Sequence, residues 1–564
     1  MGTATLLEPP HSETKSVEEP PVDEMLVDQA VFAAPLNEAA LFQEKLKKAT
    51  PGRVGLLAFS LIMIGGLTYI ATQIGRDLSA VHTTSVLPYV MLGLALAIAL
   101  GFEFVNGFHD TANAVATVIY TNSLEPHIAV VFSGILNFVG VLFSSGAVAF
   151  TILQLFPAEM ILRMNKGSGF AMIFALLLAA ILWNLATWYG GLPTSSSHTL
   201  IGSIVGAVGT FYLMQGKSGM AGVNWETMKK VFEALLISPV VGFSVAGLLF
   251  LLFKLVAKDK RLYDAPRGNT PPPFYIRALL VLTCGGVSYA HGSNDGQKGM
   301  GLIMLILVGT MPTAYALNHS MDAGQVQSFA VASTQVAGAL DKLVPQGTTG
   351  QNPNAELERF VRTKKYEPQV ALAVEQTVVS LRDEVMQYGT LARIPQTMQA
   401  DTRNHLYLTG EALRLIPKSG GPKLSAADAK LIADYQDDLN RSTQFIPSWV
   451  KVAVALALGM GTMIGWRRIV ITVGEKIGKT RMTYAQGASA QMVAMTTILA
   501  AGSYGLPVST THVLSSSVAG AMTANHSGLQ WETIRNIAMA WVLTLPAAAL
   551  LSGGLFWLFN SIAK

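Results

Sequence analysis

The sequence predicts an all-α polytopic membrane protein with about 10–12 membrane elements. Three observations carry that prediction. Hydrophobic residues fill 51% of the 564 positions and charged residues only 13%, about half the ~25% charged content of a soluble chain. Apolar runs at or above the ~20 residues that cross a bilayer as a helix recur along the chain, and the mean hydropathy is +0.42. Period-two alternation is missing, which argues against an outer-membrane barrel. A soluble enzyme, a disordered scaffold and a nucleic-acid binder are therefore excluded. The net charge of +4 is too small and too dispersed for a phosphate-backbone partner. The single cysteine, Cys284, rules out an intramolecular disulfide or a cysteine metal cluster.

The elements follow in chain order. Residues 1–50 are polar and acidic, with Glu18, Glu19, Asp23 and Glu24 around Pro20 and Pro21. They lack the basic start, apolar core and cleavage site of a signal peptide, and are expected to form a disordered tail ending in a short amphipathic helix over 38–49. An N-terminal transmembrane helix is expected over 51–78. Apolar runs then lie near 86–105, 127–155, 169–190, 231–256, 299–318, 448–465, 483–501 and 535–560, with weaker ones at 197–214, 278–290 and 512–524. Basic clusters orient the chain. Those at 45–53, at 254–277 and at 467–481 are assigned to the cytoplasm, which puts the start of the chain inside and its end outside. Residues 261–277 are a basic cytoplasmic linker. Residues 319–445 are polar, with 13 Lys and Arg against 14 Asp and Glu. They are expected to be an inserted soluble helical domain on the external side, with helices near 368–388 and 425–440.

The chain is internally duplicated. GLPTSSSHTLIGSIVGA at 191–207 returns as GLPVSTTHVLSSSVAGA at 505–521, with 9 identities in 17 positions. NWET from Asn224 and QWET from Gln530 follow the two copies. Ahead of them, NGFHDTANAV at 106–115 matches HGSNDGQKGM at 291–300 and aligns Asp110 with Asp295. The offsets are 185 and 314 residues, and their difference of 129 matches the polar insert. One repeat therefore covers 84–260, and the second covers 278–318 and 446–564. The counterpart of the basic 466–481 segment, near 157–168, is far less basic. That contrast predicts opposite orientations, so the repeats are expected to be inverted, with the broken or re-entrant helices of a secondary transporter.

Two motif pairs carry the candidate chemistry. A charge at the bilayer centre costs at least about 2.5–3.5 kcal/mol, so Asp110 and Asp295, at matching repeat positions, call for a cation or a proton. The alternative is a buried pair satisfied by a helix N-terminus. Asn106, Asn113 and Asn294 add the neutral oxygens a hard cation uses. His109 and His291 could take a proton or a metal alongside the two aspartates, or serve as core hydrogen-bonding groups. Lys298 stands where the first copy has Asn113, so the two sites differ chemically. In the second pair, Pro193 and Pro507 break the helix ahead of Ser195-Ser196-Ser197-His198 and Ser509-Thr510-Thr511-His512. Free N–H groups and consecutive hydroxyls there would cradle a tetrahedral oxyanion without burying a fixed positive charge. The alternative is hydroxyl-mediated helix packing. His198 and His512 read as structural hydrogen-bonding groups. No GxxxxGK[ST] loop points to an ATP-driven pump.

These residues resemble the Pit family of inorganic phosphate transporters. The likeness rests on NGFHDTANAVATVIYT at 106–121, GLPTSSSHTLIG at 191–202, HGSNDGQKGMGL at 291–302, ALALGMGTMIGWRR at 455–468, GEKIG at 474–478, MTYAQG at 482–487 and GLPVSTTHVLSSSVAG at 505–520. It implies symport of phosphate with a cation through two inverted repeats. Asp110 and Asp295 fall on the family's Asp motifs, and Ser195, Ser196, Ser197, Ser509, Thr510 and Thr511 on its phosphate motifs. The departure is His109-Asp110 where sodium-coupled members have Asn-Asp. Bacterial members with this form resemble proton symporters that accept a neutral metal-phosphate complex. The resemblance thus implies a secondary active importer of inorganic phosphate in the bacterial cytoplasmic (inner) membrane. No cofactor is expected to be permanently bound, and the co-transported species would be a proton and a divalent metal (Mg, Ca, Mn or Zn). Phosphate, these cations and the lipid bilayer are the expected partners, a homodimer being left open. Three other readings stand beside this one: a sodium-coupled symporter, an importer of sulfate or a related oxyanion, and an intramembrane phosphotransfer enzyme.

Overall fold

The computed structural model describes residues 53–79, 87–156, 167–219, 223–266, 270–311, 315, 317–318, 323–350, 352–422, 424–443 and 445–562. The acidic tail, with the helix expected over 38–49, lies outside them, as does the side chain of Asn113. All described residues fall in one compact unit, Gly52–Lys564. Their regular structure is helical, apart from one isolated antiparallel bridge between Gly478 and Leu529.

Among the described residues, eight α-helices precede the polar insert: α1 (Arg53–Ser79), α2 (Leu87–Tyr120), α3 (Pro126–Leu142), α4 (Ala147–Gln154), α5 (Gly167–Tyr189), α6 (Ser196–Met214), α7 (Trp225–Val256) and α8 (Phe274–Thr310). The insert contributes α9 (Ala323–Asp341), α10 (Pro353–Thr363), α11 (Pro368–Tyr388), α12 (Gln396–Leu415) and α13 (Ala426–Thr443). The chain closes with α14 (Ser448–Gly461), α15 (Arg467–Glu475), α16 (Tyr484–Ser503), α17 (Thr510–Ala524) and α18 (Trp531–Ile562).

Among the described residues six helices are long and apolar enough to cross a membrane: α1, α2, α5, α6, α7 and α18. The pair α3 and α4, bent by 71° at its break, passes the same test only when taken together, as a broken span or a re-entrant loop would. The bend has a local cause: Gly146 at the start of α4 holds φ at +87°, a left-handed conformation open chiefly to glycine. The weaker apolar stretch at 278–290 and the first part of the span expected at 299–318 belong to one 37-residue helix, α8. In the same way the run at 86–105 continues through the Asp motif to Tyr120 as α2. Polar residues do not break these helices, and several of their side chains pair with groups on other elements, Asp110 with Ser196 and Thr511 and Lys298 with Ser197. Both aspartates therefore sit inside helices.

Packing exchanges elements between the two repeats. α6 lies against α18, and α17 against α7. Glycines set these contacts: a Cβ at Gly206 would stand 2.0 Å from the Ala549 carbonyl oxygen, and one at Gly520 would stand 1.9 Å from that of Phe243. The long helices are crossed in the same way, α8 with α3 and α2 with α14. Small residues that let backbones approach supply the packing energy where lipid competes for apolar surface. The outer faces of α7 and α18 stay apolar and exposed, as at Leu236, Leu248, Leu255 and Leu550.

The insert builds its own core from Leu340, Phe360, Val374, Leu381 and Tyr435, with Phe329 stacked on Tyr435 at 5.5 Å. It meets the first residues of α7 through Glu226, which accepts from Arg414 at 2.9 Å and Lys418 at 2.7 Å. α1 is held differently. Its Asp77 accepts from Tyr315 and from Trp449 Nε1 at 3.1 Å.

Candidate functional site

The two Ser/Thr motifs fold alike because their backbones demand it. Gly191 and Gly505 take φ of +66° and +67°, turning the chain before each proline. Ser195 and Ser509 then cap the following helices. Each hydroxyl accepts the backbone N–H three residues on, from His198 and His512, at 3.1 Å, which satisfies one of the unpaired N–H groups at a helix start. Both hydroxyls act as acceptors in these caps, and Ser195 Oγ also pairs with His198 Nδ1 at 2.9 Å. Hydroxyls further along each motif point inward.

Inward lies Asp110. Its carboxylate accepts from Ser196 Oγ at 2.7 Å and from Thr511 Oγ1 at 2.9 Å, one hydroxyl from each motif. His109 Nδ1 stands 2.8 Å from the same carboxylate, and its Nε2 is 3.3 Å from the hydroxyls of Thr187 and Thr194. Ser196 Oγ also reaches Asp295 Oδ2 at 3.4 Å, so one hydroxyl bridges the aspartates of both repeats. Ser197 ties the motifs together by donating to the Val508 carbonyl at 2.8 Å. Asp110, Asp295, Ser196, Ser197 and Thr511 are all at most 3% exposed.

Of the four residues expected to ligate a metal, three converge. Asp110, His291 and Asp295 each offer an atom within 4.8 Å of the others. The oxygen and imidazole donors suit a divalent ion. His291 Nδ1 pairs with Asn137 Oδ1 at 2.6 Å, which aims Nε2 toward Asp295 Oδ2, 3.6 Å away. His109 is outside that trio, both of its nitrogens being engaged as above. Asn294 donates to the Leu506 carbonyl at 3.2 Å, and Asn106 to Glu103 at 3.5 Å. Their side-chain oxygens, and the Thr510 hydroxyl, have no partner among the described residues.

Two charged groups had no role assigned from sequence. Lys298 is wholly buried and donates to Asp295 Oδ1 at 2.7 Å, to Ser197 Oγ and to the Val508 carbonyl at 3.3 Å. The cradle therefore does carry a fixed positive charge, contrary to the expectation from the hydroxyl motifs. Glu103 is also buried, and Gly299 makes room for it: a Cβ there would stand 2.4 Å from Glu103 Oε1. The signals were present as spacing. Glu103, Asn106 and Asp110 share one helix face at i, i+3 and i+7, and Asp295 and Lys298 pair at i, i+3.

Residues 106–552 match the family model described as "Phosphate transporter family". The chain belongs to that family. Its members similar to this chain include the "Low-affinity inorganic phosphate transporter PitA" of Escherichia coli (strain K12), 43% identical over 493 residues, with 83% of this chain and 96% of that protein covered. PitB of the same organism is 42% identical with the same coverage. The "Probable low-affinity inorganic phosphate transporter" of Bacillus subtilis (strain 168) is 30% identical, with 83% and 97% covered. A solved structure, "The sodium-dependent phosphate transporter", aligns with a TM-score of 0.46 at 20% identity, covering 84% of this chain and 100% of that one. Family membership makes the chain a multi-pass membrane transporter and not an enzyme, so the phosphotransfer reading falls.

Proposed function

We propose that this member of the phosphate transporter family is a secondary active importer of inorganic phosphate in the bacterial inner membrane, coupled to protons and carrying phosphate as a neutral complex with a divalent metal. The observation that carries the reading is the meeting of both Ser/Thr motifs with both aspartates around Ser196. Two repeats that contribute matched halves to one buried centre, and whose helices exchange partners, support inverted repeats around a midplane site.

The geometry gives coupling a physical reason. Ser196 and Thr511 donate to Asp110, so the hydroxyls an anion needs are occupied by a carboxylate. A phosphate group is rich in acceptor oxygens and carries about −1.5 to −2 charges near neutrality. Beside two carboxylates it would be repelled. A metal ion held by Asp110, His291 and Asp295, or a proton on an aspartate, removes that repulsion and releases the hydroxyls to the anion. Neither cargo is stable in the site without the other. Energetics point the same way: moving a dianion into a negative interior costs about 4–5 kcal/mol at 100 mV. A divalent metal cancels that cost, and an added proton makes entry downhill.

Labelled phosphate uptake into proteoliposomes under an imposed pH gradient tests the reading. Uptake that needs protons and Mg, Ca, Mn or Zn and ignores sodium supports it. Uptake driven by sodium alone overturns the coupling, and full competition by sulfate overturns the substrate.

A further inference from the structure

The Lys298 ammonium has the surroundings of a bound cation. It is 0% exposed. Its three partners are a carboxylate oxygen of Asp295, the hydroxyl of Ser197 and the main-chain carbonyl of Val508. Carboxylate, hydroxyl and carbonyl oxygens are the donors a hard cation collects. They come from α8, the first turn of α6 and the segment ahead of α17, which is how an ion site gathers ligands from elements remote in sequence. The repeat alignment shows what stands in the other half. Asp295 corresponds to Asp110, Ser197 to Thr511, Val508 to Thr194, and Lys298 to the neutral Asn113. In that half Thr511 Oγ1 donates directly to the aspartate at 2.9 Å, where Ser197 meets Lys298 instead, and the sequence supplies no lysine.

We propose that Lys298 is a tethered counter-cation. It occupies, in the second half of the transport site, the place an exchangeable monovalent cation would take, so that half draws no such cation from solution. The lysine fixes one positive charge beside Asp295 throughout the cycle and leaves Asp295 Oδ2, which faces Ser196 and His291, for the cargo. This inference rests on the transporter reading and specifies the ion selectivity of its site.

The test replaces Lys298 in the full chain by Asn, copying the first repeat, and by Met, which fills a similar volume without charge or oxygen. Purified proteins are titrated with sodium chloride against choline chloride by thermal shift, and phosphate uptake is measured in proteoliposomes in the same salts. Lys298→Asn is expected to gain a saturable sodium stabilisation that wild type lacks. Its uptake should rise with sodium by about tenfold, within the usual range of coupling between two ligand sites. Lys298→Met should lose uptake and gain no sodium response. The inference is overturned if Lys298→Asn binds phosphate with no new sodium response, or if Lys298→Met transports like wild type. A wild-type protein that takes up no phosphate defeats the transporter reading instead, and the sodium titration of Lys298→Asn still decides the role of the lysine.

Discussion

Asp110 and Asp295 occupy matching places in the two repeats, yet their surroundings differ. Asp110 is held by two hydroxyls and an imidazole, all neutral or titratable groups. Asp295 is locked to a buried ammonium. Duplication kept the backbone plan, down to the left-handed glycine and the capping serine of each motif. The surroundings then diverged: a tethered ammonium faces Asp295, and hydroxyls and an imidazole face Asp110.

The largest effect comes from breaking each aspartate in turn. Asp110→Asn and Asp295→Asn are both expected to abolish phosphate uptake, but for different physical reasons. The Asp110→Asn variant keeps acceptor and donor groups for Ser196 and Thr511, and its unfolding midpoint should stay near wild type. Removing the Asp295 charge strands a buried ammonium, which costs about 3–5 kcal/mol. Asp295→Asn should therefore unfold well below wild type, and Asp295→Asn with Lys298→Met should recover most of that loss. Equal midpoints for the two single variants, or no recovery in the double one, would remove the distinction between the halves.

A second comparison concerns what the repeats share. Gly206 and Gly520 touch carbonyl oxygens at nearly the same distance, so Gly206→Ala and Gly520→Ala should be about equally harmful, each by the roughly 1–3 kcal/mol of an overpacked contact. Gly93 in α2 has nothing within 4 Å of a new Cβ. Gly93→Ala should be neutral, or stabilising by up to about 1 kcal/mol through helix propensity. Thermal unfolding of the three variants side by side would expose any packing asymmetry between the repeats.

Much of this was legible in the sequence. The Ser/Thr motifs, the aspartates and the duplication stand in local runs whose spacing has a mechanical meaning, and each reappears in the buried centre. The apolar runs at 86–105 and 299–318 mark only parts of α2 and α8, whose polar stretches are helical too. The His291–Lys298 stretch stays helical in α8 because Asn137, Ser197 and Val508, all distant in sequence, meet its polar groups. Lys298 was visible as a difference between the copies, but its role needs Ser197 and Val508, which lie on other elements. Glu103 carried no motif at all, and only its i, i+7 relation to Asp110 on one helix face could have marked it. The converse holds for His109, whose adjacency to Asp110 suggested a ligand while the hydroxyls of Thr187 and Thr194 take up its other nitrogen.

The smallest expected effect sets the Lys298–Asp295 pair against an ion pair in water. In the insert, Arg359 forks onto Glu367 at 2.7 Å, with the two side chains 37% and 45% exposed. Hydrogen bonding to Arg359 holds the Glu367 carboxyl below its ordinary range. A depressed folded value means the stabilisation is present above the unfolded carboxylate pKa of about 4.3 and is lost as pH falls through the folded value. Glu367→Gln should then lower the unfolding midpoint of the insert slightly at pH 7, less in high salt because exposed pairs are screened, and variant and wild type should converge in acid below the folded value. Hydrogen exchange over 353–388 as a function of pH would read this directly. An offset that persists unchanged into acid would mean Glu367 acts through packing, and the contrast between a screened surface pair and a desolvated transport-site pair would need another example.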